Sequence, residues 1–190
     1  MGVAIRRGLE LGRVRAAPRS VLILQRLKDR GLVDAHSGTA VGLAAAMCKL
    51  GLAPRFASFD RAPFRKQVET ISSAAVLVSP HGSQLTNLLW LDPSAAVVEV
   101  TFRYAYCQEK PWQEMQRTAD AVLQGSEHCL AYHPTFANMA NALGITYRYL
   151  DPVYLPPQQY SNPIARSHVH LNARELAELA ALLLEEQRAA

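Results

Sequence analysis

The sequence predicts an α/β protein built on a doubly wound, mainly parallel, Rossmann-like sheet. Three observations carry that expectation. Val76-Leu77-Val78 and Ala96-Val97-Val98 are short apolar runs without alternation, the pattern of strands covered on both faces. Helical patterns alternate with such runs along the chain, as βαβ units require. Between the two runs lies a polar loop, His81-Gly82-Ser83-Gln84-Leu85-Thr86-Asn87. Its His, Gly, Ser, Thr and Asn residues have no role in burying the strand before it, and open α/β sheets bind ligands beyond the carboxyl ends of their strands.

Taken in order, the first strand is Val21–Leu24, an apolar run after Pro18 that gives way to Gln25-Arg26-Leu27-Lys28-Asp29-Arg30. Apolar residues at helical spacing over Thr39–Leu50 stop at Gly51, which suits a left-handed helix cap. A second strand is expected over Arg55–Phe59, centred on Phe56–Phe59. Pro63–Ser73 then reads as a helix with proline in its first turn. Val76–Val78 and Val97–Glu99 are the next strands, with a helix between them running from the polar loop toward Trp90. Past Val100 the pattern loosens through Tyr104, Tyr106 and Trp112. It resumes as a helix over Pro134–Leu143, ended by Gly144, and a strand over Ile145–Tyr149. Pro152, Pro156, Pro157 and Pro163 mark an extended segment over residues 151–170 that crosses the face of the domain. Asn172 caps the final helix, with Glu175 in its first turn. The organisation is a basic lead-in over residues 1–20 and a single lobe over residues 21–190.

A chain of 190 residues with 49% apolar residues suits one domain or one lobe of a larger protein. The net charge of +4 comes almost wholly from arginine, since lysine occurs only at Lys28, Lys49, Lys66 and Lys110. Arginine forks suit phosphate and carboxylate, although an arginine- and alanine-rich bias is equally a feature of genomic composition. Arg6, Arg7, Arg13, Arg15 and Arg19 make the lead-in basic, but no aromatics interleave with them to stack on bases. A solvated or partner-facing segment is therefore expected, and no nucleic-acid partner. No apolar window is long enough to span a bilayer, and the first residues lack the apolar core of a signal peptide, so no membrane insertion is expected. Cys48, Cys107 and Cys129 show no CxxC spacing, which argues against a zinc knuckle or a thioredoxin-type site. Cys48 reads as a core thiol, and pairing of Cys107 with Cys129 is left open.

Several chemistries lose their support. Gly82-Ser83-Gln84 does not make a Gly-x-Ser-x-Gly elbow, and the chain has neither a Walker loop nor Gly-x-Gly-x-x-Gly. It also has no Asp-x-Asp pair, the usual clamp for a metal-bridged nucleotide diphosphate, so a diphosphate would have to be neutralised by the protein with no metal or other cofactor. Arg26, Arg30 and the His81-Gly82 loop are the candidates. Gly82 allows close backbone approach, the helix opened by the loop presents free N–H groups, and Arg26 beyond the first strand can bind phosphate bidentately. The plainer reading makes Thr86 or Asn87 a helix cap and leaves Arg26 and Arg30 solvated. Glu99 stands among Val97, Val98 and Val100, where a carboxylate needs a partner: ribose hydroxyls on one reading, a structural arginine on the other. His168 and His170 would share one side of a strand, but with no third ligand in view no metal site is assigned.

At these residues the chain resembles the C-terminal lobe of glycosyltransferase family 61, whose loop reads approximately His-Gly-Ala-Gly-Leu-Thr-Asn after an apolar strand. The family's arginine pair is similar to Arg26 and Arg30, its Gln-Ile helix to Gln67-Val68, its Val-Val-Glu strand to Val97-Val98-Glu99, and a later Ala-x-x-Leu-Gly-x-x-Tyr element to the stretch from Ala140 to Tyr147. Two departures are Gln84 in place of the second loop glycine and Asp34 where the family often has asparagine. The resemblance implies one lobe of a GT-B type enzyme: inverting, metal-independent, taking a UDP-sugar as donor and a glycan or glycoprotein as acceptor. It implies donor contacts at Arg26, Arg30, His81, Gly82, Ser83, Leu85, Thr86, Asn87 and Glu99, with His81 as the one weak candidate for proton acceptor. A second, N-terminal lobe holding the acceptor is expected to be missing from this chain. A secretory-pathway setting, Golgi or endoplasmic reticulum, is implied by the family alone. Two other classes compete: a non-catalytic nucleotide-sugar-binding or interaction module, and an unrelated α/β enzyme of phosphate chemistry.

Overall fold

The computed structural model describes residues 17–26, 31–100, 135–150, 152–153 and 168–189. Five strands form one sheet: β1 (Ser20–Leu24), β3 (Ala53–Ala57), β4 (Val76–Pro80), β5 (Ala96–Val100) and β6 (Thr146–Leu150). Their spatial order is β3-β1-β4-β5-β6 and every pairing is parallel. The chain therefore winds outward from β1 first to one side and then to the other, a doubly wound α/β fold. A second, two-stranded parallel sheet pairs β2 (Gly31–Asp34) with β7 (His168–Leu171).

Alternation along the buried strands supplies both faces of the sheet. Val21, Ile23, Val76, Val78 and Val98 meet Leu43 and Met47 of α1 (Ala40–Lys49) and Leu176 and Leu183 of α4 (Ala173–Ala189). Leu22, Leu24, Leu77 and Val97 face the other way. They meet Val68 and Ile71 of α2 (Phe64–Ser72), Leu85 and Leu88 of a 3-10 helix (Ser83–Trp90), and Phe136 and Ala140 of α3 (Thr135–Ala142). Fully burying one such leucine or valine contributes about 1.5–3 kcal/mol, so the three inner strands anchor the fold.

Local chemistry sets the ends. Thr39 caps α1 by accepting from the Gly42 N–H, and Gly51 and Gly144 take the left-handed φ of 67° and 71° that end helices. The Asn172 side chain accepts from the N–H groups of Arg174 and Glu175 at the start of α4. Gln25, one residue past β1, does the work of a strand partner: its amide donates to Leu32 O at 3.0 Å and accepts from Leu32 N at 2.7 Å.

Several expectations need correction. The second strand of the main sheet is Ala53–Ala57, so Ser58 and Phe59 lie beyond it; as an edge strand with Arg55 and Phe56 exposed, it lacks the apolar run that marks the others. Strand β2 is not foreseen by the pattern, because its partner β7 lies far along the chain. Cys48 is exposed rather than a core thiol, since α1 buries Leu43 and Met47 on its opposite side. Pro63 is the residue before α2, not part of its first turn. Arg19 is not a solvated arginine: its guanidinium closes the carbonyl end of α1, with Nε donating to Gly51 O at 2.6 Å and Nη2 to Leu50 O. Arg30, Cys107, Cys129, residues 1–16 of the lead-in and residues 154–167 of the proline-rich segment lie outside the described residues. No helix among the described residues is long and apolar enough to cross a membrane.

Candidate functional site

In this strand order the switch point falls between β1 and β4, where successive crossovers leave in opposite directions. The crevice at such a point is where doubly wound sheets take their ligands. Arg26 follows β1, and His81, Gly82 and Ser83 follow β4, so the sequence-selected loop and the first arginine come to the two sides of this crevice. A cleft of about 420 Å³ opens there. Arg26, Ser83, Thr86 and Asn87 contribute polar groups to its lining, and Phe59, Phe64 and Trp90 contribute aromatic surface. Trp90 and Phe64 meet edge to face, with ring centroids 5.5 Å apart, which fixes that wall.

The segment after β4 is a 3-10 helix of eight residues rather than an α-helix. Gly82 precedes it at φ 148° and ψ 179°, a backbone conformation that side chains rarely adopt. That turn lets the chain leave β4 and fold at once over the sheet edge. Thr86 and Asn87 do not cap the helix. Thr86 Oγ1 donates to Ser83 O at 2.7 Å and Asn87 Nδ2 to Gln84 O at 3.1 Å, one turn back within the helix. Leu85 packs its whole side chain into the core, so only its backbone belongs to the loop surface. Gln84, which stands where the similar family has glycine, lines the cleft and holds a buried Oε1 without a hydrogen-bond partner among the described residues.

Glu99 is 1% exposed at the end of β5. Among the described residues its partners are a histidine and a tyrosine, with no arginine: Oε1 meets Nδ1 of His81, and Oε2 accepts from the Tyr147 hydroxyl at 2.5 Å. Burial, and then the hydrogen bond to Glu99, pushes the Tyr147 phenol well above its ordinary range, so it stays protonated. The His81 ring also meets Phe136 edge to face, at 5.8 Å between centroids. Tyr147 was not marked by the sequence as a site residue; the signal for it is the register of β5 and β6, which sets Val97 beside Tyr147 and Glu99 beside Tyr149. No three His, Cys, Asp or Glu side chains among the described residues come together as a metal ion would need.

Residues 46–98 match the family model described as Glycosyltransferase 61. The match runs from the last turn of α1 to the middle of β5 and includes the whole 82–90 turn and helix, so the likeness to that family is shown over the segment that builds one wall of the cleft. No curated protein matches the sequence. Among solved structures, a diflavin flavoprotein A3 from Nostoc sp. is similar at 12% identity and a TM-score of 0.45, over 90% of this chain and 98% of that one. Rubredoxin oxygen:oxidoreductase from Desulfovibrio gigas is similar at 11% identity and a TM-score of 0.48, over 99% of this chain and 41% of that one.

Proposed function

We propose that this chain is the donor-binding lobe of an inverting, metal-independent glycosyltransferase that takes a UDP-sugar and serves a glycan or glycoprotein acceptor. The observation that carries the reading is the meeting of Arg26 with Ser83, Thr86 and Asn87 in one cleft at the switch point, within a fold whose 46–98 segment matches glycosyltransferase 61. In the proposed complex Arg26 binds the diphosphate through its guanidinium fork, and the N–H groups around Gly82 and Ser83 add donors at the start of the helix. Phe59 and Trp90 offer apolar surface to the nucleobase, and the Asn87 and Gln67 amides offer it polar partners. Arg30 belongs to the proposed donor set by resemblance. The acceptor hydroxyl attacks the anomeric carbon as the bond to the β-phosphate oxygen breaks; its proton leaves to a base, and UDP departs with the bonding pair. A second lobe, N-terminal to this one, holds the acceptor in this reading, and the setting is the secretory pathway.

Neutralisation by protein groups alone is proposed because the sequence has no Asp-x-Asp clamp. Gln84 favours one competing reading, a nucleotide-sugar-binding module without turnover, because its side chain takes space in the cleft where a glycine would leave it open. Titration of UDP, uridine and inorganic phosphate, followed by Trp90 fluorescence in a Trp112→Phe background, tests the binding step. UDP is expected to bind more tightly than either of the others. Binding of inorganic phosphate as tightly as UDP would favour a different phosphate chemistry. Release of UDP from a UDP-sugar separates the transferase from the silent module.

A further inference from the structure

The cleft residues leave one cluster of ionisable side chains at the same sheet edge unused: His81, Glu99 and Tyr147. A carboxylate enclosed as Glu99 is has to satisfy both oxygens, and it can only accept. Tyr147 supplies one O–H. The other donor is then the Nδ1–H of His81, which fixes the ring as the Nδ1–H tautomer. Nε2 is left as the outward nitrogen. It has no hydrogen bond among the described residues, and 21% of the His81 side chain reaches the surface. His81 immediately precedes Gly82 and lies two residues from Ser83 of the cleft wall.

We propose that Glu99 and Tyr147 are positioning residues that hold the Nδ1–H of His81 and so turn Nε2 outward, where as the imidazolium it donates its Nε2–H to the diphosphate of the donor. Glu99 thus acts on the ligand through His81 instead of holding the ribose. A carboxylate behind a histidine does two things: it fixes the ring plane, and it offsets positive charge when Nε2 carries a proton to a phosphate oxygen. Tyr147 keeps the second oxygen of Glu99 from rotating toward His81 or seeking water. Phe136 holds the flank of the ring. The ligand part of this proposal rests on the donor-site reading; the tautomer part does not.

Full-length protein labelled with ¹⁵N-histidine tests both parts. His81 is assigned with His81→Gln, and two-bond proton–nitrogen correlations read its ring nitrogens. In the wild type the neutral ring is expected to carry its proton on Nδ1, the nitrogen that meets Glu99. Glu99→Gln is expected to release that preference, because its amide can donate to Nδ1 as well as accept from it. Tyr147→Phe, which removes only a hydroxyl, is expected to keep the fold and weaken UDP about tenfold while leaving uridine unchanged. An Nε2–H tautomer in the wild type would overturn the proposal, as would equal loss of both ligands in Tyr147→Phe. If the wild type binds no UDP, the donor-site reading falls, and the ring nitrogens still decide whether Glu99 and Tyr147 set the tautomer.

Discussion

Gly42 approaches Asp34 so closely that a Cβ on the glycine would lie 2.8 Å from Asp34 Oδ2 and 2.2 Å from Ser37 Oγ. The first turn of α1 is thereby seated directly on the turn that follows β2. Ser37 N donates to Asp34 Oδ2 at 2.8 Å and Gly38 N to Asp34 O at 2.8 Å, so that turn has little room to give. Gly42→Ala is expected to destabilise the protein by about 1–3 kcal/mol, the usual cost of forcing atoms into a packed site. Urea unfolding checks this, and an unchanged midpoint would mean that the turn relaxes freely.

Asp34 gives the same region a pH dependence. Burial raises its pKa, but hydrogen bonds from Ser37, His36 and Ala173 outweigh that and hold the carboxyl below its ordinary value. A depressed folded pKa means stability that is fully present above the unfolded value, near 3.8, and lost as pH falls through the folded one. Wild type and Asp34→Ala should therefore differ in stability at neutral pH and draw together in acid. Parallel stability curves across that range would show that the charge of Asp34 contributes nothing.

Gly82 is held at φ 148°, where a side chain is strained. Gly82→Ala is expected to cost roughly 1–3 kcal/mol of stability or to move the 3-10 helix, and to weaken UDP in either case. Thermal unfolding together with UDP titration measures both effects. A variant with wild-type stability and affinity would remove the turn from the proposed site.

Leu77 lies fully buried in β4, the middle strand of the sheet. Leu77→Ala should destabilise by about 2–5 kcal/mol, since neighbours from α2 and the 3-10 helix can close only part of the cavity. Denaturant midpoints at unchanged m-value are the measurement.

Arg26→Ala should weaken UDP more than uridine, by about 1.5–3 kcal/mol, because the lost contact is a charge-assisted one to the diphosphate. EDTA should leave UDP binding of the wild type unchanged. Equal weakening of both ligands would mean that Arg26 acts through the fold, and a metal requirement would contradict neutralisation by protein groups.

Much of the architecture was legible because burial on both faces leaves a local mark. Val21–Leu24, Val76–Val78 and Ala96–Val98 are apolar without a break, and each lies within an inner strand. Gly51 and Gly144 end helices because few other residues take their left-handed conformation. The loop at the carboxyl edge was legible for the converse reason: its polar residues do nothing for the core. Exposure hid the rest. Strand β3 has one side open to solvent and carries Pro54 and Arg55, so its pattern points two residues too late. Alanines around α1 made Cys48 look buried, although that side of the helix faces outward.

The amino-acid sequence by itself determined which segments bury, where helices stop and which loop carries polar residues that the core does not need, since each depends on residues within a few positions of one another. Only the tertiary structure decided what the site residues touch. Glu99 looked like a carboxylate in search of a ribose or an arginine, yet it meets His81, 18 residues before it, and Tyr147, 48 residues after it. Those meetings depend on which strands are neighbours and in what register they pair. Strand order and register are settled by burial summed over the whole sheet, and no single segment carries that sum.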